Sequence, residues 1–183
     1  MNFLAHLYLS GTNTKLMTGN FMGDFVKGRN LYERYETDIA RGIELHRAID
    51  EYTDTHPIVL KSKTRLRADY RHYAPVIVDV FYDHFLSRYW RAYHQDSIEV
   101  YADFAYKTLE SFGAILPDDA RNMLPYMING NWLVNYGQIE GIQQALMGMS
   151  RRSRFNPKMD ESVANLRVYY AEYKMSLKNF FLC

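Results

Sequence analysis

Several ionisable side chains stand where the pattern around them calls for apolar ones. His46, Asp50 and Asp54 recur every fourth residue within TDIARGIELHRAIDEYTDT, a spacing that places them on one face of a helix. Ile43 and Ile49 flank that stripe, so it turns at least partly toward the core. A solvated stripe normally pairs Glu with Lys; this one sets an imidazole one turn before a carboxylate. In VIVDVFYDHFLSRYW, residues 76–90, Asp79 and Asp83 again stand four apart, and His84 adjoins Asp83. A helix apolar all round is a buried one. Two carboxylates and an imidazole inside it carry a severe desolvation cost unless something compensates. A divalent cation compensates well, because carboxylate oxygen and neutral imidazole nitrogen are its natural ligands.

Two further residues join them. His6 interrupts FLAHLYL, and Asp24 sits between Phe21-Met22-Gly23 and Phe25-Val26. Each has a plainer reading, His6 as a hydrogen-bonded core histidine and Asp24 as a helix cap. Taken together, the polar residues on these apolar faces favour a His/Asp metal site. Asp54 reads as a supporting group or a helix terminator, and His56, His72 and His94 read as surface residues. Arg47 follows His46 but points about 100° away around the helix, where it skirts a substrate or faces solvent. Lys27 and Arg29 follow Asp24 closely enough to border a pocket.

Such a site suits phosphoester hydrolysis. A metal neutralises the phosphate oxygens and acidifies water. A carboxylate not spent on the metal takes the water's proton, and a nearby cation assists the leaving group. Other chemistries lack their signatures: there is no G-x-S-x-G elbow, Walker A loop or G-x-G-x-x-G fingerprint. The single cysteine is the last residue, Cys183. Intramolecular disulfides and thiolate metal clusters are thereby excluded, and a reducing cytoplasm is the simplest home.

The elements that must position these residues read as helices throughout. Apolar residues recur at helical spacing, period-two alternation is scarce, and no βαβ rhythm appears. The pattern predicts helices over 2–9, over about 20–27 (capped by Thr18 or Asn20 and ended by Gly28), and over about 38–54 with Asp38 as cap and Pro57 closing it. A basic helix follows at 58–71, then one from Pro75 through 76–93, one opened by Ser97 through Phe112, and one opened by Pro117. Shorter helices cover 131–136 and 138–148, and Asn156-Pro157 introduces a last long one at 158–181. The length of 183 residues, with 48% hydrophobic and 23% charged, fits one all-α domain spanning 1–183. Sixteen tyrosines add bulk whose hydroxyls need partners when buried. No run reaches the ~18 apolar residues of a membrane span, and the N-terminus lacks the basic start of a secretory signal. No membrane association is expected.

The residues also resemble a known family. MNFLAHLYLS at 1–10, GNFMGDFVKG at 19–28, GIELHRAID at 42–50 with TDTHP at 53–57, and DVFYDHFLSRYW at 79–90 are similar to segments of the acyl carrier protein phosphodiesterases, or acyl carrier protein hydrolases. NWLVNY at 131–136 and GMSRR at 148–152 match more weakly. The resemblance implies a single-domain helical HD-domain-like fold and a divalent metal, typically Mn2+, with Mg2+ or Fe2+ as alternatives. It implies hydrolysis of the diester joining 4′-phosphopantetheine to a serine of holo-acyl carrier protein. Carried over, the metal candidates are Asp24, His46, Asp50, Asp79, Asp83 and His84, with His6 nearby; the catalytic candidates are Asp24, His46, Asp50, Asp83 and His84. An ordinary HD domain has His followed directly by Asp, whereas the adjacent pair here, Asp83-His84, is reversed.

With 22 Lys and Arg against 21 Asp and Glu, global charge gives no argument for nucleic acid. Two local clusters are basic: Lys61, Lys63, Arg65, Arg67 and Arg71, and Arg151, Arg152, Arg154 and Lys158. Aromatic residues are not interleaved with them as a single-strand platform requires. They read as solvated faces or as docking sites for an acidic partner, which the resemblance identifies as the carrier protein. The substrate-binding candidates are therefore Arg47, Lys27, Arg65, Arg67, Arg151 and Arg152. Two rival readings stand beside the leading one: an HD-type phosphohydrolase for a nucleotide or other small phosphoester, and a non-catalytic helical binding protein. The sequence leaves the oligomeric state open.

Overall fold

The segment that is apolar on every side becomes the centre of the molecule. In a computed structural model, which describes residues 1–155 and 157–181, Ala74–Arg88 forms a helix buried from Ile77 to Ser87 except at Asp79. The described residues form helices and turns only, with no strand. In chain order the helices are α1 (Phe3–Leu9), α2 (Thr14–Met22), α3 (Leu31–Arg34), α4 (Thr37–Thr55), α5 (Pro57–Tyr70), α6 (Ala74–Arg88), α7 (Ile98–Ser111), α8 (Asp118–Asn129), α9 (Trp132–Asn135), α10 (Ile139–Arg152), α11 (Val163–Val168) and α12 (Tyr170–Phe181). Packed around α6 are α1, α5, α9, α10 and α12. Its Phe81 and Phe85 are among the largest fully buried side chains, each contributing roughly 2 kcal/mol by burial. Among the described residues no helix is long and apolar enough to cross a membrane.

The most extensive helix pair is α2 against α4, and two glycines make it possible. A Cβ on Gly19 would run into the carbonyl oxygen of Ile39, and one on Gly42 into that of Leu16. Without side chains there, the two backbones touch. Asn20, one residue past Gly19, is thereby carried to within reach of His46 on α4.

Several boundaries differ from the sequence expectation. The helix expected over 20–27 starts at Thr14, because Asn13 caps it: its Oδ1 accepts from the Lys15 and Leu16 amides. It ends at Met22, and Asp24 sits in a 3-10 turn, Gly23–Phe25. Neither Thr18 nor Asn20 caps it; Thr18 Oγ1 donates to the Thr14 carbonyl. Asp38 lies inside the first turn of α4 rather than at its cap, where its charge still meets the positive end of the helix. Pro57 opens α5 as much as it closes α4, since its missing N–H costs nothing at a first helical position. His56 is therefore no idle surface residue: it ends one helix and caps the next, its Nδ1 accepting from the Ile58 amide. His94 is half-buried against Trp90, while His72 is exposed. Ser97 caps α7 as expected. The helix expected to run to residue 93 stops at Arg88 and passes into a 3-10 turn, Trp90–Ala92. The long last helix is broken into a 3-10 turn, Met159–Ser162, then α11 and α12. Asn156 and Cys183 lie outside the described residues.

Candidate metal centre

His46 and Asp50, one turn apart on α4, meet side chains from α1 and the 3-10 turn. The Nε2 atoms of both His6 and His46 face Asp50, at 3.1 Å from Oδ1 and 3.1 Å from Oδ2 respectively. Asp24 Oδ1 lies 3.3 Å from His46 Nε2. The two imidazole rings stack at 3.9 Å with 14° between their planes. Ligand atoms of His6, His46 and Asp50 lie within 4.8 Å of one another, close enough to hold one metal ion. Gly23 gives the His46 ring its space, since a Cβ there would collide with the imidazole.

Asn20 sets both histidines, a role the sequence does not announce because an Asn in Thr18-Gly19-Asn20 reads as a helix cap. It is fully buried. Its backbone carbonyl accepts from His46 Nδ1 at 2.8 Å, and its Oδ1 lies 2.9 Å from His6 Nδ1. Its Nδ2 donates to the His6 carbonyl and to Ser10 Oγ, which leaves Oδ1 as the acceptor. Both Nδ1 atoms therefore carry the proton in the neutral rings; His46 Nε2 is left to face the carboxylates, while His6 Nε2 lies between Asp50 Oδ1 at 3.1 Å and the Met1 carbonyl at 3.2 Å. Orienting partners of this kind accompany metal-binding histidines.

Without a cation the cluster holds protons instead. Burial disfavours a charged His46, but hydrogen bonds to Asp24 and Asp50 outweigh it and raise its pKa to about 9. Burial opposes ionisation of Asp50 and Asp24 too, yet their partners hold both below the usual carboxylate range. His6 is pushed down, chiefly by burial. Two stacked imidazoles and one shared carboxylate thus form an acceptor-rich centre, and this donor set fits a divalent cation.

The centre opens on a cavity of about 440 Å3 whose wall includes Asp24, Asp50, Asp54, Asp79, Met149 and Arg152. Asp79 comes from α6 and meets the terminal ammonium of Met1 at 3.3 Å; that ammonium also lies 3.2 Å from Asp50. Burial raises the Asp79 pKa despite this partner. Asp54 pairs at 2.7 Å with Lys63, which is buried.

Asp83 and His84 are not brought to this centre. Both Asp83 oxygens accept from the start of α1, at 2.7 Å from the Leu4 amide and 3.1 Å from the Ala5 amide. Asn2, at the cap position, makes no such bond, so Asp83 caps α1 from another helix. Burial lifts its pKa to about 7. His84 turns to the other side of α6, with Nδ1 at 2.8 Å from the Tyr136 carbonyl and Nε2 at 3.0 Å from the Tyr170 hydroxyl. Both ring nitrogens are engaged there, away from the centre.

The basic candidates also divide. Arg47 donates to the carbonyls of Val26 and Gly28 and so braces the loop after Asp24; Lys27 is exposed on that loop. Arg65 lies over the rings of Tyr169 and Tyr173, while Lys61 and Arg67 remain exposed. Arg151 and Arg152 are exposed, and Arg152 alone of these candidates lines the acidic cavity.

A family model described as acyl carrier protein phosphodiesterase matches residues 1–182. The acyl carrier protein phosphodiesterase of Photorhabdus laumondii subsp. laumondii is 32% identical over 182 residues, covering 99% of this chain and 91% of that protein. That of Escherichia coli O157:H7 is 37% identical over 185 residues, covering 99% and 94%. No solved structure matches.

Proposed function

From the membership of this chain in the acyl carrier protein phosphodiesterase family, we propose that it hydrolyses the diester between 4′-phosphopantetheine and a serine of holo-acyl carrier protein. The products are the apo carrier protein with a free serine hydroxyl and 4′-phosphopantetheine. The observation that carries a metal-assisted mechanism is the convergence of His6 Nε2, His46 Nε2 and the Asp50 carboxylate on one point. These three residues would hold a divalent cation, Mn2+ first, with Asp24 and Asp79 beside it. When bound, the cation supplies positive charge for the phosphate oxygens and acidifies water.

The chain's own residues supply the rest. Asn20 fixes the histidine tautomers. Asp24, exposed at the cavity wall, accepts the proton of the attacking water. As the water oxygen bonds to phosphorus, the bond from phosphorus to the serine oxygen breaks, and that oxygen takes up a proton. Arg152 faces the negative phosphate from the same cavity and stabilises its growing charge. The exposed Lys61, Arg67 and Arg151 attract an acidic carrier protein, which speeds encounter more than it tightens binding. The cytoplasm, where carrier protein is made, is the compartment this reading requires.

Mass spectrometry of holo-carrier protein after incubation with the protein and manganese tests the proposal. The expected result is conversion to the apo mass, abolished by a chelator. Unchanged holo protein, with hydrolysis appearing instead on a nucleotide panel, would move the substrate to a small phosphoester.

A further inference from the structure

A second cavity, of about 220 Å3, lies between α9 and α10. It shares two wall residues, Met149 and Arg152, with the acidic cavity. Trp132, Ala145 and Met149 make its wall largely apolar, and Gln144 adds an amide that bonds to no other described residue. At the partition, the buried Tyr136 hydroxyl faces the Asn2 amide, and neither completes a hydrogen bond of normal geometry. Asn2 belongs to the acidic cavity and Tyr136 to this one. Arg152 makes no ion pair among the described residues.

We infer that this slot receives the pantetheine arm of the substrate; the inference rests on the function proposed above. The scissile phosphate has two substituents. One is a folded protein, which a slot of this size excludes and which must stay outside the acidic cavity. The other is a narrow, uncharged arm with a gem-dimethyl carbon and a hydroxyl near the phosphate, two amides along its length and a terminal thiol. Its apolar stretches suit Trp132, Ala145 and Met149, and an amide carbonyl suits the exposed side-chain amide of Gln144, which bonds to no other described residue. With the phosphate beside Arg152, the arm runs into the slot and the serine points outward. The slot then selects phosphopantetheinyl serine over phosphoserine, because phosphoserine leaves it empty.

Pantetheine without its phosphate is the probe. The chain has two tryptophans, so Trp90→Phe leaves Trp132 as the reporter on the slot wall. Pantetheine should change its emission saturably, with or without manganese. Gly148 lines the slot, and a Cβ there meets no atom, so Gly148→Leu should fold. It should weaken pantetheine binding about tenfold or more and raise KM for holo-carrier protein with less effect on kcat. Ala145→Trp provides a second obstruction, and circular dichroism checks both variants. No saturable binding to the folded wild type, or undiminished binding in both variants, overturns the slot. Binding without conversion of holo-carrier protein would overturn the hydrolysis reading and leave the slot standing; conversion without binding would do the reverse.

Discussion

The rings of His6 and His46 stack at 3.9 Å, although one belongs to α1 and the other to α4. Two imidazolium ions cannot share that contact cheaply, so the pair holds one proton or a cation between its Nε2 atoms and Asp50. Their environments push them apart: burial lowers the His6 pKa, and the Asp24 and Asp50 carboxylates raise that of His46. A metal ion held at this cluster would therefore depend on both histidines and on the groups that aim them.

His46→Ala and Asp50→Ala should each abolish manganese-dependent hydrolysis, by about a hundredfold or more, since each removes a ligand of a three-residue set. Helical circular dichroism should persist. Metal content after dialysis, measured by plasma mass spectrometry, should fall in parallel. Near wild-type turnover in both variants at saturating manganese would relocate the centre.

Asn20→Ala should weaken metal affinity by roughly 10–100-fold, the usual cost of losing an orienting partner. It should also destabilise the fold by about 1–3 kcal/mol, because the His6 carbonyl and Ser10 hydroxyl lose a buried donor. Calorimetric titration with manganese separates the two effects. Unchanged affinity in a folded variant would mean that the His6 ring is held by packing alone, since the backbone carbonyl that accepts from His46 Nδ1 remains.

Asp83→Ala should behave differently from the ligand variants. It removes the cap of α1 and should cost about 1–3 kcal/mol in urea unfolding. Stoichiometric manganese binding should survive, because neither Asp83 oxygen faces the cluster. Loss of the metal with little loss of stability would return Asp83 to the ligand set.

The metal-stripped protein should lose thermal stability as pH rises from 7 to 9.5. His46 has a folded pKa of about 9 against about 6.5 unfolded. A raised pKa stabilises fully below the unfolded value, and the benefit is lost as pH climbs through the folded one. Asp83, raised to about 7, contributes a loss of the same sign, completed by about that pH. His46→Gln should therefore flatten the melting profile above pH 7. Equal slopes in wild type and variant would show that the proton sits elsewhere.

Docking should be sensitive to salt. Reversing Lys61 and Arg67 together, or Arg151 alone, should lower kcat/KM on holo-carrier protein by about tenfold, an order expected for electrostatic steering. Added salt should mimic that loss in the wild type. Arg65 belongs to a different class, because it packs on Tyr169 and Tyr173; its replacement should lower stability first. A kcat/KM indifferent to both reversals and to salt would leave these residues as ordinary solvated surface.

Much of this was written locally. Four-residue spacing puts His46 and Asp50 on one face of α4 whatever surrounds them, and the apolar run around Phe81 and Phe85 buries α6 on every side. Those are short-range properties of helix geometry and hydrophobicity. The metal candidates on α6 needed more, because burial on all sides does not say which neighbour each polar group meets. Asp83 turned out to lie under the amides of α1, and His84, about 100° further around the helix, met Tyr136 and Tyr170. Asn20 could not be recognised by spacing, since its partners arrive only when Gly19 and Gly42 let two backbones touch. Helix phase and close approach arise from packing between distant segments. For that reason a His/Asp cluster on apolar helix faces was legible in the chain, while which of its residues meet was decided by the tertiary structure.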